Sequence, residues 1–115
     1  MAISLEKLAE TLKLSTILIP DSSTEIETAY TSDLLSDVMA HAPAQSALIT
    51  IQAHKNTIAV ATLAGIKAII ICNKRQIPDD MIDAAQQEGI AILGTEEDQF
   101  TISGKLYTLL KDAKV

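Results

Sequence analysis

Apolar positions recur along the chain in two spacings, and the alternation between them predicts the fold. Leu5, Leu8, Ala9 and Leu12 follow a helical period, with Glu6, Lys7 and Glu10 facing away. Ser4 stands where a hydroxyl can accept from the first free backbone N–H groups of that helix. Thr16–Ile19 is a short β-branched run stopped by Pro20, which predicts a strand, and Asp21–Thr24 reads as a turn. Glu25–Thr31 alternates weakly and reads as a second strand or an extended loop. Asp33 is placed to cap a short helix over Leu34–His41, which Pro43 ends.

From there the period is regular. Ala47–Ile51 reads as a strand, and Asn56 as the cap of a helix over Thr57–Ala64 that Gly65 stops. Ala68–Cys72 is continuously apolar, as expected of a strand covered on both faces. Pro78 and Asp79 open a helix through Glu88, Gly89 closes it, and Ile90–Leu93 is the next strand. The Gly65-Ile66 junction is echoed by Gly89-Ile90, where glycine suits a left-handed cap and isoleucine packs back on the helix. Thr95 is placed to cap a last helix to Ala113, with the acidic run Glu96-Glu97-Asp98 in its first turn. Phe100, Ile102, Leu106, Leu109 and Leu110 form its expected buried side, and Gly104 marks an expected close packing contact. Strands alternating with helices at this spacing predict a small α/β sandwich of two or three layers, with a mostly parallel sheet of four or five strands.

Composition narrows the class. The 115 residues suit one domain over 1–115, and 48% hydrophobic content is too high for a disordered chain. Only 3% of residues are aromatic, so the core must be built from Ile, Leu, Val and Ala. A net charge of −6 gives no electrostatic footprint for nucleic acid or an anionic membrane. The single cysteine, Cys72, excludes an internal disulfide framework. Charges interrupt the N-terminal apolar stretch, and no apolar run approaches the roughly 20 residues of a spanning helix. The expectation is a cytoplasmic protein.

Candidate chemistry concentrates in Thr50-Ile51-Gln52-Ala53-His54-Lys55-Asn56, between a strand end and a helix start. Ligands of open α/β sheets bind outside the carboxyl ends of strands, and a helix N-terminus there presents free N–H groups. Thr50, Gln52, His54 and Asn56 therefore read either as a small-ligand or anion pocket or as a helix cap with loop-satisfying neighbours. Asp33, Asp37 and His41 fall at i, i+4 and i+8; a solvated helix face explains them, and no metal-ligand motif accompanies them. Cys72, at a strand end, reads as a small core thiol unless a base such as His54 lies beside it. Lys74 and Arg75 are adjacent cations after the same strand and can face solvent or an anion at that sheet edge. Gly104-Lys105 lacks the upstream glycine and downstream hydroxyl of a phosphate-binding loop.

Several segments together resemble the DRTGG domain family. These are Tyr30-Thr-Ser-Asp33-Leu-Leu-Ser-Asp37-Val-Met39, the run Ala47-Leu-Ile-Thr50-Ile-Gln52-Ala-His54-Lys-Asn56, Ile58–Ala61, Gly65–Ala68, Pro78 and Glu88–Leu93. The resemblance spans roughly Ile19 to Leu110 and is strongest to stand-alone members similar to the N-terminal domains of HPr kinase and of MurF-type ligases. The glycine-rich signature naming the family is replaced here by Thr50–Asn56. The resemblance implies a layered α/β fold with a largely parallel sheet. It also implies a regulatory or interaction module with no catalytic residue set and no cofactor; a kinase would need a P-loop motif that this chain lacks. Expected partners are a second copy in a homodimer, a larger protein, and a nucleotide or phosphate-containing metabolite. The candidate ligand-binding residues are Asp33, Thr50, Gln52, His54 and Asn56. The alternative is a small enzyme using His54 as acid/base with Asp33, Asp37 or Cys72 as partner.

Overall fold

The computed structural model describes residues 2–113. Among the described residues twelve elements follow one another. The first half runs β1 (Ile3–Ser4), α1 (Leu5–Leu12), β2 (Ser15–Leu18), β3 (Glu25–Ile26), β4 (Thr28–Thr31) and α2 (Leu35–His41). The second half runs β5 (Ser46–Thr50), α3 (Lys55–Ala64), β6 (Ala68–Ile71), α4 (Asp79–Glu88), β7 (Ala91–Gly94) and α5 (Gln99–Ala113). The main sheet has five strands in the order β2-β7-β6-β5-β4. β4 through β7 are parallel, and β2 joins β7 antiparallel, with a register shift between Thr16 and Leu18. The weakly alternating stretch Glu25–Thr31 is two strands: β3 pairs with β1 in a separate small sheet, and β4 forms the edge of the main one.

Each parallel strand is added on the same side of its predecessor. Right-handed crossovers therefore carry all three connecting helices to one face of the sheet. The packing agrees. Val38 of α2, Ile58 and Ala61 of α3, and Met81 and Ala85 of α4 pack with Leu48, Ile69, Ile71 and Ile92. On the opposite face, Leu5, Leu8 and Leu12 of α1 and Ile102, Leu106 and Leu110 of α5 pack with Ile49, Ile70, Cys72 and Leu93. Successive side chains of one strand serve opposite faces, so β5, β6 and β7 are buried throughout and read as unbroken apolar runs. The result is an α/β sandwich with a mostly parallel sheet, as the periodicity led one to expect, and of the two or three layers that it left open the fold has three.

Both glycine caps form as expected. Gly65 and Gly89 are left-handed, and Ile66 and Ile90 donate back to Ala61 and Ala85, each at 2.9 Å. Gly65 is required twice over, because a Cβ there would lie 3.0 Å from the Ala44 Cβ. Lys13 and Leu14 make the same turn after α1 without a glycine.

Several local expectations fail. Phe100 is 89% exposed: the buried stripe of α5 is Ile102, Leu106 and Leu110, and a two-residue offset turns Phe100 about 200° from it. Gly104 has nothing within 4 Å of where a Cβ would stand, so no close contact explains it. Asn56 is not the cap of α3; His54 is extended, and its Nδ1 accepts from the Asn56 N–H at 3.1 Å. The acidic run precedes α5: Asp98 caps it by accepting from the Thr101 N–H at 2.8 Å, while Thr95 accepts from Glu97 N–H at 3.1 Å.

Candidate functional site

The carboxyl ends of β4, β5, β6 and β7 lie along one edge of the sheet, and most of the singled-out residues gather there. Asp33 follows β4. It does not cap α2, whose start carries no side-chain cap. Three donors draw its carboxylate across the sheet edge instead. Asp33 Oδ1 accepts from Thr50 Oγ1 at 2.8 Å, from the Ile51 N–H at 2.9 Å and from Gln99 Nε2 at 3.0 Å. Hydrogen bonds to an ionised acceptor are the stronger kind, so this clamp ties together β4, the loop after β5 and the start of α5.

The Thr50–Asn56 loop spends much of its polarity on itself. Thr50 is fully buried; its Oγ1 donates to Asp33 and accepts from the Gln52 N–H at 3.1 Å. Thr57 is also fully buried and donates to the Gln52 carbonyl at 2.8 Å. His54 Nδ1 receives Asn56 N–H, which leaves Nε2 facing outward from an exposed residue. Asp33, Thr50, Gln52, His54 and Asn56 thus fall at one corner, with Asp33 and Thr50 engaged and the Gln52 amide, His54 Nε2 and Asn56 amide making no side-chain hydrogen bond among the described residues. None of Asp33, Asp37 or Cys72 is hydrogen-bonded to His54 among the described residues.

Asp37 and His41 do share a face of α2, but Asp33 is not on it. Asp37 accepts from the Tyr30 hydroxyl at 2.6 Å and lies 3.0 Å from His41 Nδ1. The Tyr30 hydroxyl, with His41 behind it, holds the Asp37 carboxyl below the usual range, and the same bond pushes the Tyr30 phenol up. Among the described residues no group of His, Cys, Asp or Glu is arranged to hold a metal ion.

Cys72 continues β6; its N–H donates to the Thr50 carbonyl at 2.9 Å, and its side chain is fully buried beneath α5. Burial, then the charges of Asp33, Asp98 and Glu97, push the thiol up to about 11. A protonated, enclosed thiol is a packing group and a poor nucleophile. Further along the edge, Asn73 N–H donates to the Glu97 carbonyl and Lys74 N–H to the Thr95 carbonyl, both at 2.9 Å, lacing the loops after β6 and β7. Lys74 lies 3.7 Å from Glu96, and Lys105 lies 2.8 Å from Glu97.

Gln99 and Tyr30 are the participants that sequence reading missed. Gln99 meets Asp33 across 66 positions of chain, and a lone glutamine at the start of a helix carries no signal of that.

No helix among the described residues is long and apolar enough to cross a membrane. No protein-family model matches the sequence, and no curated protein does. Among solved structures, the chain is similar to the CBS and DRTGG domains of the regulatory region of Clostridium perfringens pyrophosphatase, complexed with the activator diadenosine tetraphosphate. The TM-score is 0.77 at 15% identity, and the match covers 90% of this chain and 45% of that one. At that identity the likeness is one of fold: the chain has a DRTGG-like α/β architecture and spans under half the length of the regulatory region it resembles.

Proposed function

We propose that this chain is a non-catalytic regulatory module of the DRTGG type, working in the cytoplasm as a homodimer or beside a larger protein and sensing a small anionic or nucleotide ligand. The observation that carries this reading is the Asp33 clamp. A ligand meeting Gln52, His54 and Asn56 bears on a loop that is tied through Thr50 and Ile51 to Asp33, and through Asp33 to Gln99 at the start of α5. Occupancy at the loop is thereby coupled to a helix on the opposite face, which is what a sensor needs. The neighbouring fold belongs to a regulatory region crystallised with a dinucleotide activator, which supports a nucleotide as the first ligand to try. The homodimer reading draws on Phe100 and Tyr107, exposed at 89% and 70% along α5 beside the edge strand β4.

The test is thermal unfolding of the full chain with diadenosine tetraphosphate, ATP, AMP and inorganic phosphate. A rise in Tm with at least one of them, abolished by His54→Ala and by Asn56→Ala, is expected. No shift with any of them overturns the ligand reading. Sedimentation equilibrium checks the dimer separately, and a monomer at high micromolar concentration removes it.

A further inference from the structure

The connections of the sheet single out another place on its carboxyl edge. The loops after β4, β5 and β6 all turn toward the face carrying α2, α3 and α4. The loop after β7 turns the other way, to α5 on the opposite face. The connections of β6 and β7 therefore leave for opposite faces although the bonds of Asn73 and Lys74 lace their first residues together, and in open α/β sheets ligands bind beside such a reversal. A hollow of about 230 Å³ lies over the ends of β6 and β7 and reaches β2 on the far side of β7. Its floor is apolar, made by Ile17, Ile71, Ile77 and Gly94. Its rim carries Lys74 and Arg75, the hydroxyl residues Ser15 and Thr95, and one carboxylate, Glu96.

Glu96 does not neutralise this rim. At 3.7 Å, between side chains 79% and 80% exposed, its pairing with Lys74 is a loose and screened contact. Asn73 and Lys74 both stand in the left-handed region, at φ of 61° and 52°, where L side chains are uncommon. Their N–H bonds to Glu97 and Thr95 hold that turn, so the two cations are displayed from a fixed segment. Two cations and two hydroxyls over an isoleucine floor suit an anionic oxygen group carried on a small apolar or planar body. The volume falls below the roughly 300–1,000 Å³ of pockets that enclose drug-sized ligands, which selects a body of about one ring.

We propose that the hollow between the carboxyl ends of β6 and β7 binds a small organic anion, its carboxylate or phosphate held by Lys74 and Arg75 and its apolar body seated against Ile71, Ile77 and Gly94. This site is separate from the Gln52–Asn56 corner and stands whether or not that corner binds anything.

NMR titration of the full chain tests it with four probes: phenyl phosphate, benzoate, inorganic phosphate and phenol. Phenyl phosphate or benzoate saturably shifts the amides of Lys74, Arg75, Ile77 and Thr95, at least tenfold more tightly than inorganic phosphate or phenol. The tighter of the two assigns the anionic group. Lys74→Ala with Arg75→Ala weakens binding at least tenfold. Gly94→Ala is the second variant: its Cβ meets Ile17 and Ile77 at ordinary contact distances of 3.8–4.0 Å, so the chain folds while the floor is filled, and binding falls. Shifts that do not saturate, ring probes no tighter than inorganic phosphate, binding untouched by both variants, or shifts confined to His54–Asn56 overturn the proposal. Because His54→Ala leaves this hollow intact, its failure and that of the sensing loop are told apart.

Discussion

Two corners of one sheet edge differ in a way that the density of polar residues conceals. At the β4–β5 corner, polar side chains crowd together, yet the bonds they make are largely to one another: one Asp33 oxygen takes three donors, and Thr50 and Thr57 are spent inside the loop. At the β6–β7 corner, polar residues are sparser, but the chain leaves the sheet in opposite directions and a concavity with two cations remains. The first corner is a fastening and the second an opening. A cluster of hydrogen-bonding residues at a strand end can answer the need to satisfy backbone groups as well as the need to meet a ligand.

The largest expected effect breaks the fastening. Asp33→Ala leaves the Thr50 hydroxyl, the Ile51 N–H and the Gln99 amide without their acceptor. Hydrogen bonds to a charged group contribute about 1.5–3 kcal/mol each in favourable cases, but this group is half-exposed and water replaces part of the loss. We expect a loss of about 2–3 kcal/mol in urea unfolding. Asp33→Asn, which keeps an acceptor oxygen without the charge, should lose less. A loss below about 0.5 kcal/mol for Asp33→Ala, as at ordinary surface positions, would erase the contrast between the corners.

Between the corners lies Cys72, and its behaviour sharpens the boundary. Its thiol is pushed from an ordinary value of 9.0 up to about 11 by burial and by Asp33, Asp98 and Glu97. A group whose folded value is raised contributes stability that is fully present below its unfolded value and is lost as pH rises through the folded one. The Cys72 contribution is therefore constant below pH 9.0 and declines toward about 11. Native protein at pH 8 should resist alkylation by iodoacetamide and react at once on unfolding. Fast labelling of the folded chain would mean that the laced loops open, extending the hollow across the edge.

Much of this was legible in the sequence, for definite reasons. Continuous apolar runs such as Ala68–Cys72, and glycines at the ends of α3 and α4, report local conformation directly, so the sheet and its helices could be read. The layer count, the partners of Asp33 and the switch between β6 and β7 depend on which face each helix takes, and single segments do not encode that. Asp33 illustrates the limit. By spacing it is a helix cap, but donors 17 and 66 residues away outcompete the local N–H groups. Phe100 illustrates another: large and apolar near a buried stripe, it lies off the stripe by the angle of two residues.

The smallest expected effect concerns the opening. Lys74 and Arg75 are exposed, and the one ion pair involving them among the described residues joins two side chains that are mostly in water at 3.7 Å. Exposed pairs contribute about 0–1 kcal/mol, so Lys74→Ala and Arg75→Ala should each leave unfolding stability within about 0.5 kcal/mol of the parent. Lys74 is the more sensitive of the two, because its backbone holds a left-handed conformation that alanine tolerates no better. Lys74→Gly separates the two contributions: it removes the same charge while relieving the backbone. Should Lys74→Gly stabilise the chain while Lys74→Ala does not, the lysine is held there against its conformational preference. Equal stabilities for the two would mean that a Cβ costs the turn nothing, its left-handed conformation being held by the backbone bonds of Asn73 and Lys74.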